Sequence, residues 1–381
     1  MADRRSLHPS GQNSCRPQSV AEGFRIDGCR TTAGTGIQGT GMTVGLKKRG
    51  FLIDMHYFRA FAILNVALVH TWKQPVGVPA AAWPYSFKVL REVLFHDSTI
   101  YFIFISGFLF DYLAYRFDVK KYYKNKILNV ICPYVIISTL IYLYKVWMNG
   151  GLKFSYLQTM LYGRAEIQYW YIPFISLVFA VSPLLLKIKK QHFIPLVAIG
   201  MVFPLLGTRT TIDVSIGQYV YFFPVYCFGA ACSRSYDEFV TVCEKYFKYF
   251  SGLAILLSGL LVFLVYYNVH GRYFLLNTES IYYLQKMMIL FCAVKVLQML
   301  KQRDIYVFNL LANYSFAIYF LHTVVFRCCG SVLMTVFPDP DQLYWPVVGT
   351  LLTLAALALT ILLSVGCKKV LGRYSRMIIG A

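Results

Sequence analysis

FLIDMHYFRAFAILNVALVHTW, residues 51–72, is an apolar run that carries Arg59 and, eleven positions on, His70. At 3.6 residues per turn that spacing is about three turns. It puts the two side chains on one face of a helix, within about 20° and roughly 16 Å apart along the axis. An ionisable residue inside a membrane span is costly, so by default it points to function. The alternative is an interfacial anchor at each end of the span.

The rest of the chain has the same character. Hydrophobic residues are 57%, aromatics 17% and charged residues only 14% of 381, and the mean hydropathy is +0.54. A soluble domain carries about 25% charged residues. The apolar residues fall in long segments divided by short basic or Gly/Pro-containing loops, and this pattern predicts an all-α, polytopic transmembrane helical bundle. About ten spans are expected, near 52–72, 97–115, 127–147, 168–186, 192–208, 217–233, 249–268, 280–300, 312–337 and 344–366. Proline within or beside several of them is tolerated where neighbouring helices satisfy the backbone.

Lys and Arg set the orientation. If the N-terminus is cytoplasmic, the inner loops and the C-terminal tail hold seventeen of them and the outer loops seven. Positive charge stays inside, so both termini are expected in the cytoplasm. These flanks also account for the net charge of +20. With no nucleic-acid motif and no aromatic–basic repeat, a nucleic-acid partner is not expected. The expected partner is the lipid bilayer.

Residues 1–50 are rich in Ser, Gly, Thr, Gln and Arg and show no apolar period, so they read as a disordered tail. Met42, just before the basic flank of the first span, is an alternative start. Residues 51–367 form the membrane domain, and 368–381 a short basic cytoplasmic tail. The ten cysteines include no CxxC pair and no metal spacing, so no metal is expected. No P-loop and no HExxH occurs, and no GxGxxG opens a helix after a strand, which argues against an ATPase, a zinc protease and a dinucleotide enzyme.

Four further segments join the Arg59–His70 helix: IYFIFISGFLF with Ser106 and Gly107, YYKNKILNVICPYV with Lys124, Lys126 and Pro133, QYWYIPFI with Trp170, Tyr171 and Pro173, and NYSFAIYFLH with Ser315, Tyr319 and His322. In this order they resemble the acyltransferase-3 family of bacterial inner-membrane proteins: its Arg–x10–His helix, its SGF-type helix, its basic run into a proline-bearing third span, its Trp segment and its Ser-x-x-x-Tyr-x-x-His helix. The resemblance covers roughly residues 50–370. Two positions depart from the pattern: Gln168 stands where many members have histidine, and Asn129 where many have a second arginine.

The resemblance implies a multi-pass protein of the bacterial inner membrane. It implies transfer of an acyl group, typically acetyl from acetyl-CoA as co-substrate, to a hydroxyl of a cell-surface polysaccharide or its lipid-linked precursor. Transfer to an alcohol needs a base for the hydroxyl proton and donors where oxyanion charge builds. His70 is the first candidate for base or acyl carrier, because imidazole titrates near neutrality. Arg59, a permanent cation with a planar fork, is the candidate for donor binding. Ser106, Lys126, Trp170 and His322 are secondary candidates. Three of them have a plain alternative: close helix packing for Ser106–Gly107, the positive-inside bias for Lys126, packing for Trp170. A polysaccharide or solute exporter on the same helical shell is the rival class. It would be expected to show repeated halves, and no convincing internal repeat is visible.

Overall fold

The computed structural model describes residues 50–70, 83–150, 153–206, 213–267, 278–336 and 345–381, all within one unit, Leu46–Ala381. The tail expected over 1–50 and the alternative start at Met42 lie outside, except for Gly50. Every regular element among the described residues is helical. The first third holds α1 (Ile53–Leu68), α2 (Trp83–Phe95), α3 (Thr99–Tyr112), α4 (Val119–Lys126) and α5 (Cys132–Asn149). The middle holds α6 (Tyr156–Tyr162), α7 (Tyr171–Leu185), α8 (Lys190–Gly200), α9 (Phe203–Leu206), α10 (Ile216–Arg234) and α11 (Tyr236–Lys245). The last third holds α12 (Phe247–Tyr266), α13 (Thr278–Leu300), α14 (Tyr306–Asn313), α15 (Ser315–Val336), α16 (Trp345–Leu371) and α17 (Ser375–Ile379).

Among the described residues, six helical stretches are long and apolar enough to cross a membrane: Ser86–Tyr115, Val119–Asn149, Phe247–Tyr266, Thr278–Leu300, Ser315–Val332 and Val347–Ile379. The other four expected spans fall on α1 with 16 residues, α7 with 15, the short run of α8 and α9, and α10. The first three are short, and α10 is long enough but less apolar. A span of the hydrocarbon core takes about 20 residues, so a count of six rests on length and composition, and ten does not. The physical reason is position in the bundle. Helices α1 and α10 are largely buried by other helices, so they need not present a continuous apolar surface to lipid. In contrast, α12 turns Ile255, Leu256 and Phe263 outward.

The tightest helix pair is α3 with α10, and two glycines make it. A Cβ on Gly107 would lie 1.9 Å from the Tyr226 carbonyl oxygen, and one on Gly229 would lie 2.1 Å from that of Phe104. The two backbones therefore touch at both points, the small-residue packing common between membrane helices. Arg234 then locks the end of the pair. Its Nε donates to Asp111 Oδ1 at 2.8 Å, and its other nitrogens donate to the carbonyls of Ile188 and Leu185.

Between α4 and α5 the helix widens into a π-turn, Ile127–Ile131. Pro133 follows it in the first turn of α5. Proline lacks an N–H and its ring clashes with the carbonyl four residues back, and the wider turn relieves that conflict. The last residues do not trail away. Helix α17 packs on α5, the π-turn, α15 and α16, and Ile379 and Ala381 are buried.

Candidate active site

Helix α1 packs against α3, α13, α14 and α15, so the face that carries Arg59 meets α15, and His70 follows in the turn just past the end of α1. At the lower end the Arg59 guanidinium donates to the Ala312 carbonyl at 2.9 Å and to Ser315 Oγ at 2.8 Å. Ala312 belongs to the last turn of α14 and Ser315 opens α15, so Arg59 stitches the break between them. At the upper end the His70 ring lies 5.3 Å, centroid to centroid, from that of His322. Ser315 and His322 are seven residues apart, about two turns on one face of α15. The two faces match along their length.

His322 is fully buried. Its Nδ1 faces the carbonyls of Ile318 at 2.7 Å and Tyr319 at 3.0 Å. Only an N–H satisfies carbonyl oxygens, so the ring proton sits on Nδ1. The Nε2 lone pair is left without a hydrogen-bond partner among the described residues. The second nitrogen of a histidine is set by the bond the first one makes. Here that arrangement presents an acceptor beside His70.

His70 opens onto a cavity of about 330 Å³, walled by Val66, Val69, Phe95–Thr99, Phe102, Ile167, Gln168, Trp170, Tyr171, Gln218 and Tyr319. One wall is the turn before α7, and the sequence holds it in several ways. Gly163 adopts φ +69°, and a Cβ there would lie 2.5 Å from the Trp170 backbone. Glu166 pairs with Lys145 at 3.2 Å and with Arg327 at 2.5 Å. Tyr169 Oη donates to the Phe320 carbonyl at 2.7 Å and Tyr319 Oη to the Gln168 carbonyl at 2.5 Å. Trp170 stacks on Phe222, with centroids 5.3 Å apart.

The opposite wall is the turn from α2 into α3. Asp97 sits there at φ +57°, and its Oδ2 accepts from Tyr221 Oη at 2.9 Å. His96 Nδ1 lies 2.7 Å from Glu92 Oε1, while its Nε2 is 3.7 Å from Glu279 and 3.8 Å from Asp97. Among the described residues, His96, Asp97 and Glu279 bring one ligand atom each within 4.8 Å of one another, a set with the chemistry to hold a cation. Behind them the Lys286 ammonium donates to the carbonyls of Val93 and Leu94, at 3.0 and 2.8 Å, in the last turn of α2. A cation at a helix C-terminus is stabilising.

The structure thus gathers His70 and Trp170 in one cavity, with His322 behind His70. Ser106 lies close by: its Oγ donates to the Phe102 carbonyl at 2.7 Å and is 3.3 Å from the hydroxyl of Tyr171, which lines the cavity. Arg59 is not in this wall. Lys126 is elsewhere, its Nζ 3.7 Å above the Phe179 ring. Sequence reasoning passed over His96, Asp97, Gln218 and Glu279. The signal for the first two was present, an ionisable pair in FHDS at the head of an apolar helix.

A family profile described as an acyltransferase domain matches residues 52–367. The chain belongs to the acyltransferase-3 family. The match takes in all five motifs and every wall of the cavity, and with the apolar helices it makes this acyltransferase-3 protein a multi-pass membrane acyltransferase. No curated protein and no solved structure matches the chain.

At the start of α1 and the end of α13, Tyr236 of α11 donates to Asp54 Oδ2 at 2.5 Å, and Gln298 Nε2 reaches the same oxygen at 2.7 Å. Burial, and then the Asp54 carboxylate, push the Tyr236 hydroxyl well above its ordinary range. It stays a donor at any physiological pH and fixes the start of α1.

Proposed function

We propose that this acyltransferase-3 protein moves an acyl group, acetyl in the first instance, from acyl-CoA to a hydroxyl of a cell-surface polysaccharide or its lipid-linked precursor. The observation that carries the reading is the His70–His322 pair at the edge of the cavity. In the transfer, the thioester C–S bond breaks and a C–O ester bond forms. The hydroxyl proton passes through His70 and ends on the CoA thiolate. His70 takes the proton as general base, and the Nε2 lone pair of His322 favours the imidazolium that forms. The N-terminus of α3, with Ser98 and Thr99 in the wall, turns its positive dipole end toward the place where oxyanion charge builds. Arg59, three turns below His70, is the candidate for holding the donor, with its fork shared between Ser315 and a donor phosphate or carbonyl.

The basic loops favour a cytoplasmic N-terminus. In that orientation Arg59 lies toward the acyl-CoA pool and His70 toward the outer face of the bacterial inner membrane. The test is transfer of label from radiolabelled acetyl-CoA in membranes holding equal amounts of wild type and His70→Ala. Label entering a glycan or lipid-linked fraction with wild type alone supports the reading. Transfer that survives in the variant removes His70 from its role. No transfer by wild type, in cells that contain the glycan, refutes acetyl-CoA as the donor and favours an exporter or a different acyl donor.

A further inference from the structure

The cavity also bears on which sugar enters it, if the transferase reading holds. Gln168 is 6% exposed. Its Nε2 donates to Thr323 Oγ1 at 2.5 Å, which sets the amide plane. The carbonyl Oε1 is then left without a hydrogen-bond partner among the described residues, on a side chain that lines the cavity. A buried acceptor in that state is costly, and a ligand hydroxyl or amide N–H removes the cost. Beside it Trp170, held against Phe222, offers a flat apolar face of the kind that packs on a sugar ring.

Charge argues in the same direction. Among the described residues of the wall, the permanent charge is Asp97. Glu92 and Glu279 stand behind it, at 2.7 and 3.7 Å from the two nitrogens of His96. Around that histidine stand three carboxylates, two permanent cations (Arg91, 3.6 Å from Glu92, and Lys286, whose ammonium is directed at backbone carbonyls) and the titratable His96 itself, and of the permanent charges among these described residues Asp97 lines the cavity. A carboxylate or phosphate on the acceptor would be brought into low dielectric next to like charge, which raises the repulsion several-fold over water. The volume, about 330 Å³, is near the lower bound of ligand pockets, roughly 300–1,000 Å³, and suits a single ring.

We infer that the acceptor residue is an uncharged sugar, bound through a hydroxyl or N-acetyl N–H donated to Gln168 Oε1, and that anionic sugars are turned away by the Asp97 wall. Gln168, the departure from the family's histidine, is thereby a specificity-determining residue.

The experiment uses full-length protein in membranes of cells that hold their own glycans. The radiolabelled product is cleaved to oligosaccharides and the acyl group is placed by mass spectrometry. An ester on an uncharged hexose, deoxyhexose or N-acetylhexosamine is expected. An ester on a uronate, sialate or phosphorylated residue overturns the inference and leaves the transferase standing. Absence of label from every glycan fails the transferase reading itself. Two variants then test the residue. Gln168→His keeps an acceptor lone pair and adds no carboxylate to the wall, and is expected to hold acceptor KM within about threefold, since one unpaired group is what separates good from poor binders. Gln168→Leu loses the acceptor and is expected to raise KM tenfold or more with kcat little changed. Equal losses in both variants mean that Gln168 only packs, and refute its assigned role.

Discussion

His70 and His322 meet ring to ring at 5.3 Å across the α1–α15 contact, and the backbone of α15 has already fixed which nitrogen of His322 faces away from its own helix. The pair is therefore unequal. His70 borders the cavity, whereas His322 is sealed and acts through it. Removing a general base costs about 10²–10⁴ in rate, so His70→Ala is expected to fall by that amount. His322→Ala is expected to lose less, about 10–100-fold, and His322→Gln, which keeps a side-chain amide in the same space, less again. Initial rates of label transfer at saturating donor check the order. A His322→Ala loss as large as that of His70→Ala would mean that His322 is itself the base.

The α3–α10 contact makes a sharper demand. With a Cβ at Gly107 only 1.9 Å from a backbone oxygen, Gly107→Ala must force the helices apart. Overpacking of this kind costs about 1–3 kcal/mol and occasionally more. The expected result is a lower melting temperature and a smaller yield of monodisperse protein in detergent. Gly229→Ala, on the reciprocal contact, is expected to behave alike. Gly252→Ala serves as the control, since nothing lies within 4 Å of that position.

Arg59 separates structure from donor binding. Arg59→Lys keeps the charge but loses the planar guanidinium whose Nη2 donates to both the Ala312 carbonyl and Ser315 Oγ. Hydrogen bonds to charged groups are worth about 1.5–3 kcal/mol each, so a fall in thermal stability is expected in both Arg59→Lys and Ser315→Ala. If Arg59 also holds the donor, only its own variants raise the KM for acyl-CoA. Donor KM values that rise equally in Ser315→Ala would assign the effect to the α14–α15 break instead.

The turn before α7 depends on Glu166. Its carboxylate is 4% exposed and pairs with cations from two helices, Lys145 and Arg327. Removing one side of a buried pair costs about 3–5 kcal/mol, and the exposure of Arg327 places Glu166→Ala below that range, at about 1–3 kcal/mol. Gln168 and Trp170 ride on this turn. Acceptor KM is expected to rise more than kcat falls, and steady-state kinetics with a varied acceptor check this split.

Much of this was legible in the sequence because membrane physics writes it there. The described residues of the ten apolar segments are mainly helical, since a helix satisfies its own backbone in lipid. The Arg59–His70 spacing correctly put both side chains on one face. What the spacing does not carry is the partner. Nothing in residues 51–72 says that Arg59 would be occupied by a helix break at 312–315. Nothing there says that His70 would find a second imidazole. The FHDS turn was missed for a related reason. Its chemistry exists only when Glu279, more than 180 residues later, arrives beside it. The segments that fall short of a span by length or composition are α1, α7, the α8–α9 run and α10, and the apolar residues of α1 and α10 serve protein neighbours as much as lipid.

The glycine contact between α3 and α10 also has a consequence for biosynthesis. Gly107 and Gly229 are 122 positions apart. At about 5–20 residues per second, α3 waits roughly 6–24 s after synthesis before its partner helix exists. During that interval a groove shaped to take another backbone stands open to whatever segment is nearest at the insertion site. Productive assembly then depends on α4 to α9 being placed without filling it.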